Sequence, residues 1–203
     1  MDMLERLIHI DTEILLAING CHAPWADTLM WIISAKATWI PLYLLLLGGL
    51  YWRYRQPAPT TIKWLQRVPA GIVMIVVLCL AVGLADFISS GILKGCVARP
   101  RPSRVPELEG VLHLVDNYRS GRFGFVSSHA ANTMTIALLF SLIWRNKIAT
   151  CGLMLWVAAN CYSRMYLGVH YPTDILGGLL IGAAVAVAAY VVLRRLDVVA
   201  EEA

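Results

Sequence analysis

Long apolar runs dominate this chain. Five of them, near 28–52, 69–93, 129–145, 149–163 and 174–193, predict helices that cross a bilayer, which takes about 20 mostly apolar residues; the fourth is the short one. The first run carries Lys36 and Pro41, which predict a break or kink inside it. Residues 1–19 differ. Leu4, Leu7, Ile8, Leu15 and Ile18 fall at helical spacing among Glu5, Arg6, Asp11 and Glu13, the pattern of an amphipathic helix lying in the membrane interface. A cleaved secretory signal is not expected, because the start is acidic and no long apolar core comes after it. Trp25, Trp52, Trp64 and Trp144 sit near predicted span ends, where interfacial aromatics belong.

Composition sharpens this reading. The chain is 59% hydrophobic and 15% charged, with a mean hydropathy of +0.66, which excludes an ordinary soluble domain. Five spans in 203 residues leave no room for a separate soluble module. The expected fold is therefore an all-α integral membrane protein, one domain over 1–203. It comprises about five transmembrane helices, the N-terminal interfacial helix and a short extracytoplasmic cap within 100–127.

Charge gives the orientation. The connection 53–68 holds Arg53, Arg55, Lys63 and Arg67 without an acidic residue, the turn at 145–148 holds Arg145 and Lys147, and Arg194-Arg195 come after the last run. The excess of basic residues places these three in the cytoplasm. Counting spans then puts the N-terminus, 94–128 and 164–173 outside. The outer segment is basic too, with Arg99, Arg101, Arg104, Arg119 and Arg122, an excess attributed to a phosphate site.

Polar residues then collect at one set of span ends. Lys94 ends the second predicted span, His129 opens the third, Arg164 ends the fourth and Asp174 opens the fifth, all on the outer face. Phosphoryl transfer spreads negative charge over three equatorial oxygens, so fixed cations must surround it. Lys94, Arg101 and Arg164 can do so without a metal, the arginines through forked hydrogen bonds. Ser127 adds a hydroxyl, and the N–H groups near Ser128 and His129 open a helix, a natural anion seat. His170 is the expected nucleophile, with Asp174 four residues on to fix its tautomer. His129 is left to protonate the leaving oxygen and then activate water.

The spacings Lys-x6-Arg-Pro (Lys94, Arg101, Pro102), Ser-x-His (Ser127 to His129) and Ser-Arg-x5-His-x3-Asp (Ser163, Arg164, His170, Asp174) resemble the signature of the type-2 phosphatidic-acid phosphatase superfamily. The motif core covers 94–174. The resemblance implies a metal-independent lipid phosphate or diphosphate phosphatase working through a phosphohistidine, with these residues in these roles and no cofactor. One motif departs from the pattern. Pro-Ser-Gly-His is here Val126-Ser127-Ser128-His129, which loses a backbone stiffener and adds a side chain at 128.

The compact size resembles the bacterial undecaprenyl-diphosphate phosphatases, making undecaprenyl diphosphate the leading expected substrate. Phosphatidylglycerophosphate, phosphatidate and lipid A phosphatases are alternatives. So are a lipid phosphotransferase, which would pass the phosphate to an alcohol, and a non-enzymatic transporter, which would not need His129, His170 and Asp174 together. The expected setting is a bacterial cytoplasmic membrane with the site facing the periplasm or exterior. The partners are a lipid phosphate and the bilayer, with no nucleic acid; oligomeric state is not legible.

Other residues carry weaker signals. Arg99, Arg104, Arg119 and Arg122 read as loop or headgroup contacts, and His9, His22 and His113 lack partners in the sequence. Cys21, Cys79, Cys96, Cys151 and Cys161 show no metal-ligand spacing. Cys79 and Cys161 read as packing residues, and Cys21 with Cys96 could form an outer disulfide. Gly177, Gly178, Gly182, Ala183 and Ala186 suggest close helix packing in the last span.

Overall fold

The computed structural model describes residues 3–199, apart from the side chain of Leu4. These residues are helical, with two isolated β-bridges, Pro57–Pro69 and Pro100–Phe123, in the connections. The helices are α1 (Met3–Gly20), α2 (Pro24–Ser34), α3 (Ile40–Arg53), α4 (Ala70–Asp86), α5 (Lys94–Val97), α6 (Ser128–Trp144), α7 (Lys147–Tyr166) and α8 (Pro172–Arg195). The chain is an all-α integral membrane protein.

Local sequence sets the boundaries. Ser127 caps α6 by accepting the Ala130 N–H at 3.4 Å, and Asn146 caps α7 by accepting that of Ala149 at 2.9 Å. Pro172 occupies the first turn of α8, where its missing N–H is an orphan anyway. The break expected in the first run lies at Ala35, whose backbone is extended, and α2 meets the α3 segment at 66°. Lys36 opens the turn after the break. Pro41 does not cause it, sitting harmlessly in the first turn of α3.

All five expected runs form helices, and two or three of them are long and apolar enough on their own to cross a bilayer. By length and composition, Ala70–Val97 and Pro172–Arg195 can cross a membrane, and the bent pair of α2 and α3 makes a third if it counts as one span. Helices α6 and α7 are not among them. The 17 residues of α6 pack against α4, α7 and α8, burying small and hydroxylic side chains such as Ala130, Ala131, Thr135 and Ala137. A helix enclosed by protein has no need of an apolar surface all round.

Glycines bring α8 against α6. A Cβ at Gly178 would lie 2.4 Å from the Ser127 carbonyl oxygen, and one at Gly182 2.3 Å from that of Ala131. Only glycine permits this approach, which the small residues of the last run anticipated. Leu50, Met74, Leu139 and Leu193 fill the core, while Leu44, Leu45, Leu80 and Leu180 face outward as a lipid-contacting surface.

The first helix is more than an interfacial anchor. Its apolar Leu7, Ile8 and Ile14 are exposed, as an interfacial helix requires. The same stripe two turns further on, however, docks on the ends of α7 and α8, burying Leu15 against Leu108 and Tyr171. Asp11 and Asn19 are buried with it. Asn19 donates to the carbonyls of Tyr166 (2.7 Å) and His113 (2.9 Å) and accepts the His113 N–H (2.8 Å), clasping the 98–127 segment to α1. His113, unpartnered in the sequence, sits 3.0 Å from both oxygens of Asp27 and stacks on His22. Cys21 and Cys96 are free thiols; of the two expected packing cysteines only Cys161 is buried, whereas Cys79 is exposed.

Candidate active site

A wide π-type turn, Phe87–Leu93, interrupts the α4 ladder just before Lys94. One extra residue in a turn rotates the next stretch of helix by about 100°, and such bulges often lie beside functional groups. Beyond it, Lys94 Nζ donates to Ser128 Oγ at 3.0 Å and to Ser90 Oγ at 3.3 Å. The departure at position 128 thus supplies a hydroxyl that holds the lysine at the start of α6. Ser127 is fully buried, its Oγ engaged as the α6 cap and its N–H donated to the Asp174 carbonyl at 2.9 Å.

Arg101 and His170 are directly joined. Arg101 Nη1 lies 2.7 Å from His170 Nε2 and donates to the Val169 carbonyl at 3.0 Å. A guanidinium can only donate, so Nε2 is the acceptor and the ring proton resides on Nδ1. Nδ1 faces Asp174 Oδ2 at 3.3 Å, which also accepts the Tyr171 N–H at 3.1 Å. The tautomer that offers an Nε2 lone pair is set by these contacts. Gly124 makes room for them, since a Cβ there would stand 2.8 Å from Asp174 Oδ2.

Electrostatics keep this nitrogen unprotonated. His170 is 1% exposed, and burial, then the charges of Arg101, Arg164 and Lys94, holds its pKa well below the usual imidazole value. Burial and then Arg164 push the Arg101 guanidinium down to about 10, which leaves it charged at neutral pH.

Arg164, 3% exposed at the end of α7, donates to Ser34 Oγ across the α2 break. The Nε atoms of Arg101 and Arg164 are both buried without a hydrogen-bond partner. Two donors left unpaired in this way carry a cost unless an acceptor is brought to them. His129, half-buried on the first turn of α6, opens on two cavities. The first, of about 420 Å³, is walled by apolar side chains including Trp39, Leu46, Leu78 and Ile136, and contains Cys79; the second, of about 300 Å³, contains Arg164, Ser34 and Tyr118. Lys36 borders both; neither is lined by His170.

All eight expected residues therefore collect at one end of the bundle. Sequence reasoning missed four neighbours: Lys36, Tyr118, and the pair Arg99 and Asp11. Arg99 Nη1 donates to Asp174 Oδ1 at 3.1 Å and its Nη2 to Asp11 Oδ2 at 2.7 Å. Among the described residues no three His, Cys, Asp or Glu side chains gather as metal ligands. The arrangement gathers cations suited to a phosphate dianion around two imidazoles, His170 with its Nε2 lone pair covered by Arg101 and His129 beside the apolar cavity.

Comparison with known proteins bears on this geometry. The model of the PAP2 superfamily matches residues 72–197, more than half of the chain. The chain is 33% identical over 186 residues to the lipid A 4'-phosphatase of Bacteroides thetaiotaomicron, covering 89% of this chain and 75% of that one. It is equally 33% identical over 182 residues to the lipid A 4'-phosphatase of Porphyromonas gingivalis, covering 90% and 72%. Its fold is similar to that of a transmembrane PAP2-type phosphatidylglycerolphosphate phosphatase from Bacillus subtilis, with a TM-score of 0.68, 21% identity, and coverage of 94% of this chain and 88% of that one.

Proposed function

The chain belongs to the PAP2 superfamily and is a lipid phosphate hydrolase, and from that premise we propose that it hydrolyses a phosphate monoester of a lipid A-type glycolipid by way of a phosphohistidine. The two lipid A 4'-phosphatases, similar over nearly the whole chain, favour this over undecaprenyl diphosphate, the leading expectation from size. The observation that carries the chemistry is the pair of buried, unpartnered guanidinium Nε atoms of Arg101 and Arg164 beside the His170–Asp174 pair.

In the first step the His170 Nε2 lone pair attacks phosphorus, the bond to the leaving oxygen breaks, and that oxygen takes a proton from His129, which burial and the charges of Arg164 and Lys36 hold neutral in the free protein and which takes up that proton as the phosphate binds beside it. The imidazole gains charge as the P–N bond forms, and Asp174 holds its Nδ1 proton in place. Lys94, Arg101, Arg164 and the Ser127 hydroxyl bind the three equatorial oxygens, while Ser128 steadies Lys94. In the second step neutral His129 takes a proton from water, whose oxygen attacks phosphorus. The P–N bond breaks, its electrons return to Nε2, and phosphate departs.

The apolar cavity beside His129 supports a lipid leaving group, since tail methylenes placed there gain about 0.8 kcal/mol each by transfer. Lys36, on the same wall, would meet the polar groups next to the leaving oxygen. The proposed setting is a bacterial cytoplasmic membrane with the site facing the periplasm. The test is phosphate release by purified protein from lipid A, undecaprenyl diphosphate, phosphatidylglycerophosphate and phosphatidate. Highest kcat/KM on lipid A is expected, and a tenfold preference for undecaprenyl diphosphate would overturn the substrate assignment.

A further inference from the structure

The buried carboxylate of Asp174 raises a question that the motif residues do not answer. It is fully enclosed, and an ionised carboxylate taken out of water costs several kcal/mol unless a cation and hydrogen bonds offset it. His170 is held neutral, and Arg101 directs its Nη1 to His170 Nε2 and the Val169 carbonyl and makes no hydrogen bond to Asp174. The cation in hydrogen-bond contact with Asp174 is Arg99, at Oδ1.

Arg99 is itself held from three sides. Its Nη1 donates to Thr173 Oγ1 at 2.6 Å, its Nη2 to Asp11 Oδ2 at 2.7 Å, and its guanidinium lies 3.9 Å from the centre of the Tyr171 ring. Asp11, 3% exposed, accepts the Thr173 N–H at 2.8 Å and the Thr173 hydroxyl at 2.5 Å. Arg99, Thr173 and Asp11 thus form a closed ring of charged hydrogen bonds around the first turn of α8. The ring fixes Asp174 Oδ1, so that Oδ2 must face His170 Nδ1.

We propose that Arg99 and Asp11 are positioning residues: Arg99 orients Asp174 toward the His170 imidazole, and Asp11, carried by α1, holds Arg99 in place. The inference rests on the assignment of His170 as nucleophile and Asp174 as its orienting carboxylate. It gives α1 a part in turnover beyond membrane association. A buried aspartate in the middle of its docking face is explained, since Asp11 neutralises the guanidinium that Asp174 needs and leaves the trio with one net negative charge. Arg99 is distinct from the phosphate-binding cations, because its donors are committed to carboxylates and a hydroxyl.

The experiment compares Arg99→Ala, Arg99→Lys, Asp11→Asn and the Arg99→Ala/Asp11→Asn double variant with wild type and His170→Ala. Each is purified in detergent and assayed on whichever of lipid A or phosphatidate the wild type hydrolyses faster. Arg99→Ala should lose about 100-fold in kcat with KM within about threefold, since a misaligned pair loses turnover before binding. Methylguanidinium at millimolar concentration should restore part of that loss, and Arg99→Lys should fall between. Asp11→Asn should lose about tenfold alone and nothing further in the Arg99→Ala background, because it acts through Arg99. A raised KM with unchanged kcat in Arg99→Ala would make Arg99 a headgroup contact and overturn the proposal. So would a lowered thermal midpoint with wild-type kcat per folded molecule. If His170→Ala is inactive while Arg99→Ala is normal, the positioning role alone fails; if His170→Ala still turns over, the underlying mechanism fails.

Discussion

Replacing Gly178 by alanine tests whether the contact between α6 and α8 sets the catalytic geometry. The added Cβ would stand 2.4 Å from the Ser127 carbonyl oxygen and 2.9 Å from the Ala130 Cβ, where ordinary contact begins near 3.4 Å. Neither obstacle is the end of a flexible side chain, so the helices must part by about 1 Å, at an overpacking cost of roughly 1–3 kcal/mol. Asp174 lies one turn before Gly178, and its carbonyl accepts the Ser127 N–H at 2.9 Å. The separation therefore falls between Ser127 and His129 on one helix and the His170–Asp174 pair on the other. A misplacement of about 1 Å costs on the order of 100-fold in rate. The assay is phosphate release at saturating lipid together with the thermal midpoint in detergent. Gly152→Ala is the control, since nothing lies within 4 Å of a Cβ there and α7 gains up to about 1 kcal/mol of helix propensity. Wild-type kcat and midpoint in Gly178→Ala would refute the claim that this contact positions the site.

The same geometry makes further outcomes testable. His170→Ala should abolish phosphate release, whereas Asp174→Asn, which keeps the nucleophile but not the tautomer, should retain a residue about 10⁴-fold below wild type; full activity in a folded His170→Ala protein would sink the mechanism. Stability should depend on pH through His170: its folded pKa lies below the roughly 6.5 of an unfolded histidine, so its contribution is complete above that pH and is lost as pH falls toward the folded value. The denaturation midpoint should drop between pH 7.5 and 5, and less steeply in His170→Gln; equal slopes would contradict a neutral buried imidazole. Single cysteines at Arg104 or Asn117 in a cysteine-free background should react with an impermeant thiol reagent in intact cells, and one at Gln56 should not, with the reverse pattern inverting the topology.

Helix positions were legible because bilayer-length apolar runs are a strong signal: the five runs correspond to α2 with α3, α4 with the π-type turn after it, α6, α7 and α8. The place of the break in the first run was less so, since Pro41, the apparent breaker, sits harmlessly in the first turn of α3 and the bend lies at Ala35. That the eight candidate residues would gather at one end of the bundle was legible because phosphate chemistry restricts residue types and their spacing. Arg99 was not, since nothing in Arg99-Pro100-Arg101 distinguishes an arginine facing phosphate from one facing a carboxylate. A signal for Asp11 was present. In the series 4, 7, 8, 11, 15 and 18 it occupies the centre of the apolar stripe, where an unpaired charge would be costly. Asn19, four residues after Leu15, breaks the same face for the same reason.

Arg101 has two tasks that one donor must perform in succession. Before reaction its Nη1 engages the His170 lone pair that is to form the P–N bond, which fixes the tautomer but blocks attack. On the proposed mechanism the guanidinium turns from Nε2 to the phosphate oxygens before attack, and its buried Nε, without a partner in the structure, gains an acceptor by that turn. The Val169 carbonyl, 3.0 Å from Nη1, provides a fixed point for the motion. An arginine can do this because its five donors lie in one rigid fork, whereas a lysine offers a single compact ammonium. Arg101→Lys should therefore keep the positive charge yet lose about 100-fold in kcat, the scale of removing one preorganised donor from a transition state. If charge alone mattered, Arg101→Lys would match wild type in kcat, and the exchange from imidazole to phosphate would have no part in turnover.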